Sequence, residues 1–159
     1  MALQQGRYEY AAALLTEGLA TVRELGDVFL TSWALYALGY LAVEEGRPEE
    51  ATCLLKEGLT LARDRHILHV VNISFTVLAR VAVAQNWPER ALRLLGAAEK
   101  LSATTGCMLE PLQRGVYDRA LAEAHPQVDE PTYEAAWAVG QAMPLEEAIA
   151  YALEEKSTA

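Results

Sequence analysis

Apolar residues recur along this chain at the spacing of a helix face, and the same face returns every forty residues. QGRYEYAAALLTEGLA from Gln5, EGRPEEATCLLKEGLT from Glu45 and QNWPERALRLLGAAEK from Gln85 align without gaps. Within them run Ala11, Leu14, Leu15, Gly18 and Leu19, then Ala51, Leu54, Leu55, Gly58 and Leu59, then Ala91, Leu94, Leu95 and Ala98. Positions i, i+3, i+4 and i+7 share one side of an α-helix, so each copy predicts an amphipathic helix whose small residues admit a close neighbour. A turn residue (Gly6, Gly46 or Asn86) is followed two positions later by Tyr8, Pro48 or Pro88. Proline suits the first turn of a helix, where its missing N–H costs nothing.

Between the copies, Val28 to Glu45 and Ile67 to Gln85 are apolar nearly all round, which predicts helices buried on more than one side. They align at the same offset: Leu38 with Leu78, Gly39 with Ala79, Leu41 with Val81, Ala42 with Ala82. Each repeat thus reads as an A helix, a turn and a B helix. No segment alternates with period two, so no strands are expected and the fold class is all-α. After Gly106 three shorter helical segments follow, Pro111 to Ala124, Asp129 to Ala142 and Leu145 to Glu155, punctuated by Pro111, Pro126, Pro131 and Pro144. The expected division is a repeat array over 1–106, with a half repeat at 5–27 and full repeats at about 28–66 and 67–106, then a C-terminal helical cap over 107–159.

The small and apolar positions Leu38, Gly39, Ala42, Ala51, Leu55 and Gly58, and in the next copy Leu78, Ala79, Ala82, Ala91, Leu95 and Ala98, resemble those of the tetratricopeptide repeat. The resemblance implies antiparallel helical hairpins in a right-handed superhelical array whose A helices line a concave groove that takes extended peptides. The period departs from it, 40 here against about 34 in that repeat, which implies longer connections or longer helices near Gly26–Leu30 and His66–Val70. HEAT and armadillo arrays, with periods of about 40–47, stay open as competitors. The tail adds a second resemblance. RALRLLGAAEKL at Arg90–Leu101, YDRALAEA at Tyr117–Ala124, YEAAWAVGQAM at Tyr133–Met143 and PLEEAIAYAL at Pro144–Leu153 follow one another as in the C-terminal region of bacterial STAND-type ATPases and transcriptional regulators. This implies a sensor or scaffold arm of a larger signalling protein.

Composition narrows the function classes. The 159 residues are 52% hydrophobic, too apolar for intrinsic disorder. Lys+Arg 13 against Asp+Glu 22 leaves −9, a surface that repels phosphate backbones and anionic membranes, so neither nucleic acid nor membrane is an expected partner. The N-terminal stretch lacks a basic flank and an unbroken apolar run, and no segment reaches the roughly 18–20 apolar residues of a span. Two cysteines, Cys53 and Cys107, are too few for a disulfide scaffold, which favours a reducing, cytoplasmic setting.

Catalytic signatures are missing: three lysines and no P-loop, no GxSxG, no HExxH, no dinucleotide fingerprint. The expectation is a non-enzyme with no cofactor. His66 and His69 sit three apart with Asp64 nearby, short of a zinc ligand set, so no metal is expected. The expected function is protein–protein interaction through a groove lined by Trp33, Tyr36 and Tyr40 from one hairpin and Asn72, Thr76 and Arg80 from the next. The alternative is a small-molecule effector sensor with a closed pocket between the A helices. Because the first copy opens on a B helix, Leu14, Leu15, Leu19 and Val22 are expected to form a self-association face. The chain then reads as a piece of a longer protein, or as one copy of a homo-oligomer joined there.

Overall fold

A computed structural model describes residues 2–154, with side chains from residue 6 onward. Among the described residues there are eight α-helices, one 3₁₀ turn at His125–Gln127 and no strand. The helices are α1 (Ala2–Glu24), α2 (Val28–Glu44), α3 (Pro48–Asp64), α4 (Leu68–Ala84), α5 (Pro88–Thr105), α6 (Pro111–Ala124), α7 (Glu130–Ala142) and α8 (Leu145–Leu153). The tail segments fall within one or two residues of where the apolar spacing puts them.

The forty-residue period resolves into two equal halves. Helices α2, α3 and α4 each span 17 residues, and the four connections from α1 to α5 are three residues long. The middle residue of each connection is left-handed: Gly26 (φ 71°), Gly46 (φ 76°), His66 (φ 54°) and Asn86 (φ 58°). Each turn closes with the same pair of backbone bonds. In the second, Gly46 N donates to Val43 O at 3.1 Å and Arg47 N to Ala42 O at 2.8 Å. In the fourth, Asn86 N donates to Val83 O at 3.0 Å and Trp87 N to Ala82 O at 2.8 Å. This double bond across a left-handed residue is the Schellman closure of a helix C-terminus. The period over α2 and α3 is therefore two 17-residue helices and two three-residue connections. One expectation fails: Gly6, aligned with the turn residues Gly46 and Asn86, lies inside α1. A glycine inside a helix costs only about 1 kcal/mol relative to alanine, and the residues on both sides of Gly6 are helical.

α2 packs on α1, α3 and α4, and α4 packs on α2, α3, α5 and α6. Thirteen of the seventeen residues of α4 are buried, which is why it is apolar on every side. Close helix approach occurs where glycines sit. A Cβ on Gly58 would come 3.1 Å from Leu35 Cβ and from Ser32 O, and one on Gly39 would meet the Leu55 side chain. Farther on, α5 and α7 cross backbone to backbone, since a Cβ on Gly96 would lie 2.8 Å from Trp137 O.

The last helix turns back onto the array. α8 touches α3, α4 and α5, and buried Arg90 donates through Nη2 to the carbonyls of Tyr151 (3.1 Å), Ala152 (3.2 Å) and Glu154 (3.2 Å). Its guanidinium also lies over the Tyr151 ring, 4.8 Å from the centroid. A cation on the free carbonyls at a helix C-terminus satisfies both the orphan acceptors and the helix dipole.

Candidate functional site

α2, α4 and α6 lie side by side and run the same way, as their polar pairs show: Tyr36 bonds Gln113, Arg119 meets Tyr40 and Glu44, and Arg80 meets Glu123. The six residues expected to line a groove sit on α2 and α4, and they part into three groups. Asn72 and Thr76 are fully buried and face the interior, not an open surface. Asn72 Nδ2 donates to Ser102 Oγ (2.8 Å) and Cys107 O (2.9 Å), tying α4 to the end of α5, while Thr76 Oγ1 donates to Ile73 O at 2.8 Å. Burying a polar group is tolerable only when it is bonded in this way.

Tyr36, Tyr40 and Arg80 are held by α6. Tyr36 is 3% exposed, and burial pushes its phenol up to about 12 against a small opposing effect of the Gln113 hydrogen bond. Tyr40 accepts from Arg119 Nη2 at 3.3 Å. Burial first, then the Glu44 carboxylate, raise its phenol above the usual range, and Arg119 only partly opposes them. The Glu44 carboxylate, 10% exposed, faces Arg119 at 3.1 Å and Arg80 at 3.6 Å, and Arg80 also pairs with Glu123. A charge-and-phenol cluster therefore joins three helices at the place expected to be open. Arg119 and Glu123 were outside the sequence expectation, because nothing in their local spacing says which helix they will meet.

Trp33 alone remains on an open surface, 39% exposed and edge-on to Tyr36 with ring centroids 6.2 Å apart. Phe29 (50%) lies one turn before it and Leu30 (45%) beside it. Arg119, bonded to Tyr40 and Glu44, sets the register, so Trp33 lies level with the start of α6 and Phe29 about one turn beyond it. There Met108 (69%) and Leu112 (60%) are exposed as well. Leu112 is not part of the buried face of α6, which consists of Gln113, Val116, Tyr117, Ala120 and Ala124. Phe29 was findable in the sequence, being four residues before Trp33 on the same stripe.

The self-association residues also separate. Leu19 is buried with Ala34, Leu35 and Leu38 of α2, and Leu15 and Val22 pack against that cluster, so all three serve the α1–α2 contact. Leu14 is half exposed.

Other candidate chemistry stays dispersed. His66 occupies the left-handed turn position that Gly26 and Gly46 occupy elsewhere, and among the described residues no three His, Cys, Asp or Glu side chains gather as a metal site. Cys53 and Cys107 are free thiols. A cleft of about 260 Å³ opens between α3, α4, α5 and α8, bordered by Thr52, Lys56, Gln85, Trp87 and Arg90, and none of the six expected groove residues lines it. No helix among the described residues is long and apolar enough to cross a membrane. Comparison of the chain with models of known protein families, with curated proteins and with solved structures finds no match.

Proposed function

We propose that this chain is a non-catalytic, tetratricopeptide-like arm of a bacterial STAND-type regulator, binding a protein or peptide segment at the open end of its inner face. The observation that carries this reading is the cluster Phe29, Leu30, Trp33, Met108 and Leu112, each at least 39% exposed and all at one end of α2 and α6. Several large apolar side chains left together in water mark an interaction surface, and aromatic anchors supply most of the energy of such contacts. The residue pattern supports a right-handed array of hairpins, and the equal helices and three-residue turns are consistent with it. The closed-pocket alternative has less support, because Tyr36, Tyr40 and Arg80 are occupied by α6.

Selection of displayed peptides against the immobilised chain tests the reading. Peptides enriched in apolar anchors should bind the chain, and Phe29→Ser with Trp33→Ser should weaken them by about tenfold or more, with unchanged circular dichroism. Peptides that bind the double variant equally well, or no enrichment, overturn it.

A further inference from the structure

The groove beside the turn between an A and a B helix recurs with the repeat and changes character along it. In the first copy an open depression is bordered by Glu9 and Ala12 of α1 and by Glu45 and Arg47 of the α2–α3 connection. Forty residues on, their counterparts Glu49, Thr52, Gln85 and Trp87 border the cleft of about 260 Å³ between α3, α4, α5 and α8. In the first groove Arg47 is engaged by Glu45 and Glu50 of its own turn. In the second the same three positions hold Gln85, Trp87 and Arg90, and Lys56 stands in place of Thr16. A self-neutralised turn has given way to two cations and an indole. Buried Leu78, Val81 and Ala82 of α4 form the floor, and Ala152 of α8 adds a wall that the first groove lacks among the described residues.

We propose that this cleft binds a small organic monocarboxylate, its carboxylate on Arg90 and Lys56 and its apolar body between Trp87 and the α4 floor. Arg90 is 9% exposed and borders the cleft. Its partners in α8 are neutral carbonyls, all reached through Nη2, and no carboxylate of the described residues forms an ion pair with it. The dipole of a helix C-terminus offsets about half an elementary charge, which leaves a buried guanidinium short of a counter-anion. Nη1 and Nε have no partner among the described residues, yet neither is sealed from solvent, so both are open to a carboxylate. Glu49 and Glu154, both exposed, stand at the rim and balance the two cations. The site therefore suits one negative charge better than the nearly two of a phosphate monoester. Its volume is that of about nine waters, or of one ligand of about ten non-hydrogen atoms. An apolar floor with a few converging polar groups is the usual make-up of a small-molecule site. Gln85 follows the last turn of α4, whereas Trp33 is in the first half of α2, so the cleft lies at the opposite end of the A helices from the exposed cluster.

Phenylacetate is a probe of this size and charge. Titrated to about 20 mM into the isotopically labelled full chain, it should shift the NMR signals of Trp87, Ala82 and Ala152 saturably, with a Kd in the millimolar range or below. Trp87→Phe assigns the indole signal. Phenylacetamide, which lacks the charge, and acetate, which lacks the ring, should each bind about tenfold more weakly or worse, and phenyl phosphate no more tightly than phenylacetate. Because Arg90→Met also loosens α8, two other variants carry the test. Lys56→Gln should weaken phenylacetate by about threefold or more at an unchanged melting temperature, and Thr52→Phe should fill the cleft and abolish binding with unchanged circular dichroism. Shifts that do not saturate, shifts centred on Trp33, phenylacetamide bound as tightly as phenylacetate, or a folded Thr52→Phe chain that binds as before overturns the proposal.

Discussion

The crossing of α5 and α7 makes an opposite-signed pair of predictions from one chemical change. At Gly140 an alanine Cβ would lie 2.9 Å from the carbonyl carbon of Arg93 and 3.0 Å from its Cα, and both are backbone atoms that cannot swing aside. The Arg93 carbonyl oxygen lies closer still, so α7 must retreat by about an ångström along the crossing, and a gap of that size forfeits about half of the dispersion energy lining it. Overpacking of this kind costs about 1–3 kcal/mol, against which the better helix propensity of alanine returns at most about 1 kcal/mol. Gly140→Ala should therefore lose about 1–2 kcal/mol. Gly115 in α6 has nothing within 4 Å of its Cβ position, so Gly115→Ala keeps the propensity gain and should be about 0.5–1 kcal/mol more stable. Urea unfolding followed by helical circular dichroism reads both, and for a chain of this size each kcal/mol moves Tm by about 2–4 °C. A Gly140→Ala protein as stable as the parent would refute the backbone contact, and a destabilised Gly115→Ala would refute the reasoning about open space.

Arg90→Met removes three hydrogen bonds to the end of α8 and should cost about 2–3 kcal/mol, with faster limited proteolysis beyond Met143; unchanged cleavage would show that α8 is held by other means. Arg80→Ala leaves Glu44, 10% exposed, with Arg119 as its one remaining partner and should lower stability by about 1–3 kcal/mol without altering peptide binding at the Trp33 end, as urea midpoints and titrations would show. The Tyr36 phenol titrates at about 12 in the fold against 10 in the unfolded chain. Its raised value makes that share of stability whole below pH 10 and loses it as the pH climbs from 10 to 12, so urea midpoints should fall across that window and fall less in Tyr36→Phe. His66→Gly relieves a left-handed non-glycine residue and should raise stability by roughly 0.5 kcal/mol, with a smaller gain for Asn86→Gly, since asparagine tolerates that conformation better; a loss in His66→Gly would mean that the imidazole has a role beyond the turn.

Local periodicity and turn chemistry determined the helices of this protein. Ladders such as Ala51, Leu54, Leu55 and Gly58 are satisfied only at helical spacing, and Gly46 and Asn86 mark turns because few residues accept positive φ, whereas Gly6, read in the same way, is helical. The all-α class, the forty-residue period and the ends of α6 and α7 follow from signals that act within one or two turns of chain. His66 escaped this reading, since its left-handed conformation is imposed by the helices on either side. The tertiary structure decided which face of each helix is closed. Asn72 looked like recognition chemistry on α4, and only the placement of Ser102 and Cys107, thirty and thirty-five residues later, turns it into an interior brace. Likewise, Tyr40 and Arg80 read as groove residues until α6 brings Arg119 and Glu123 against them. Burial belongs to the encounter of two surfaces and is not written in the spacing of either one alone. The open end at Trp33 is therefore a property of the packed chain.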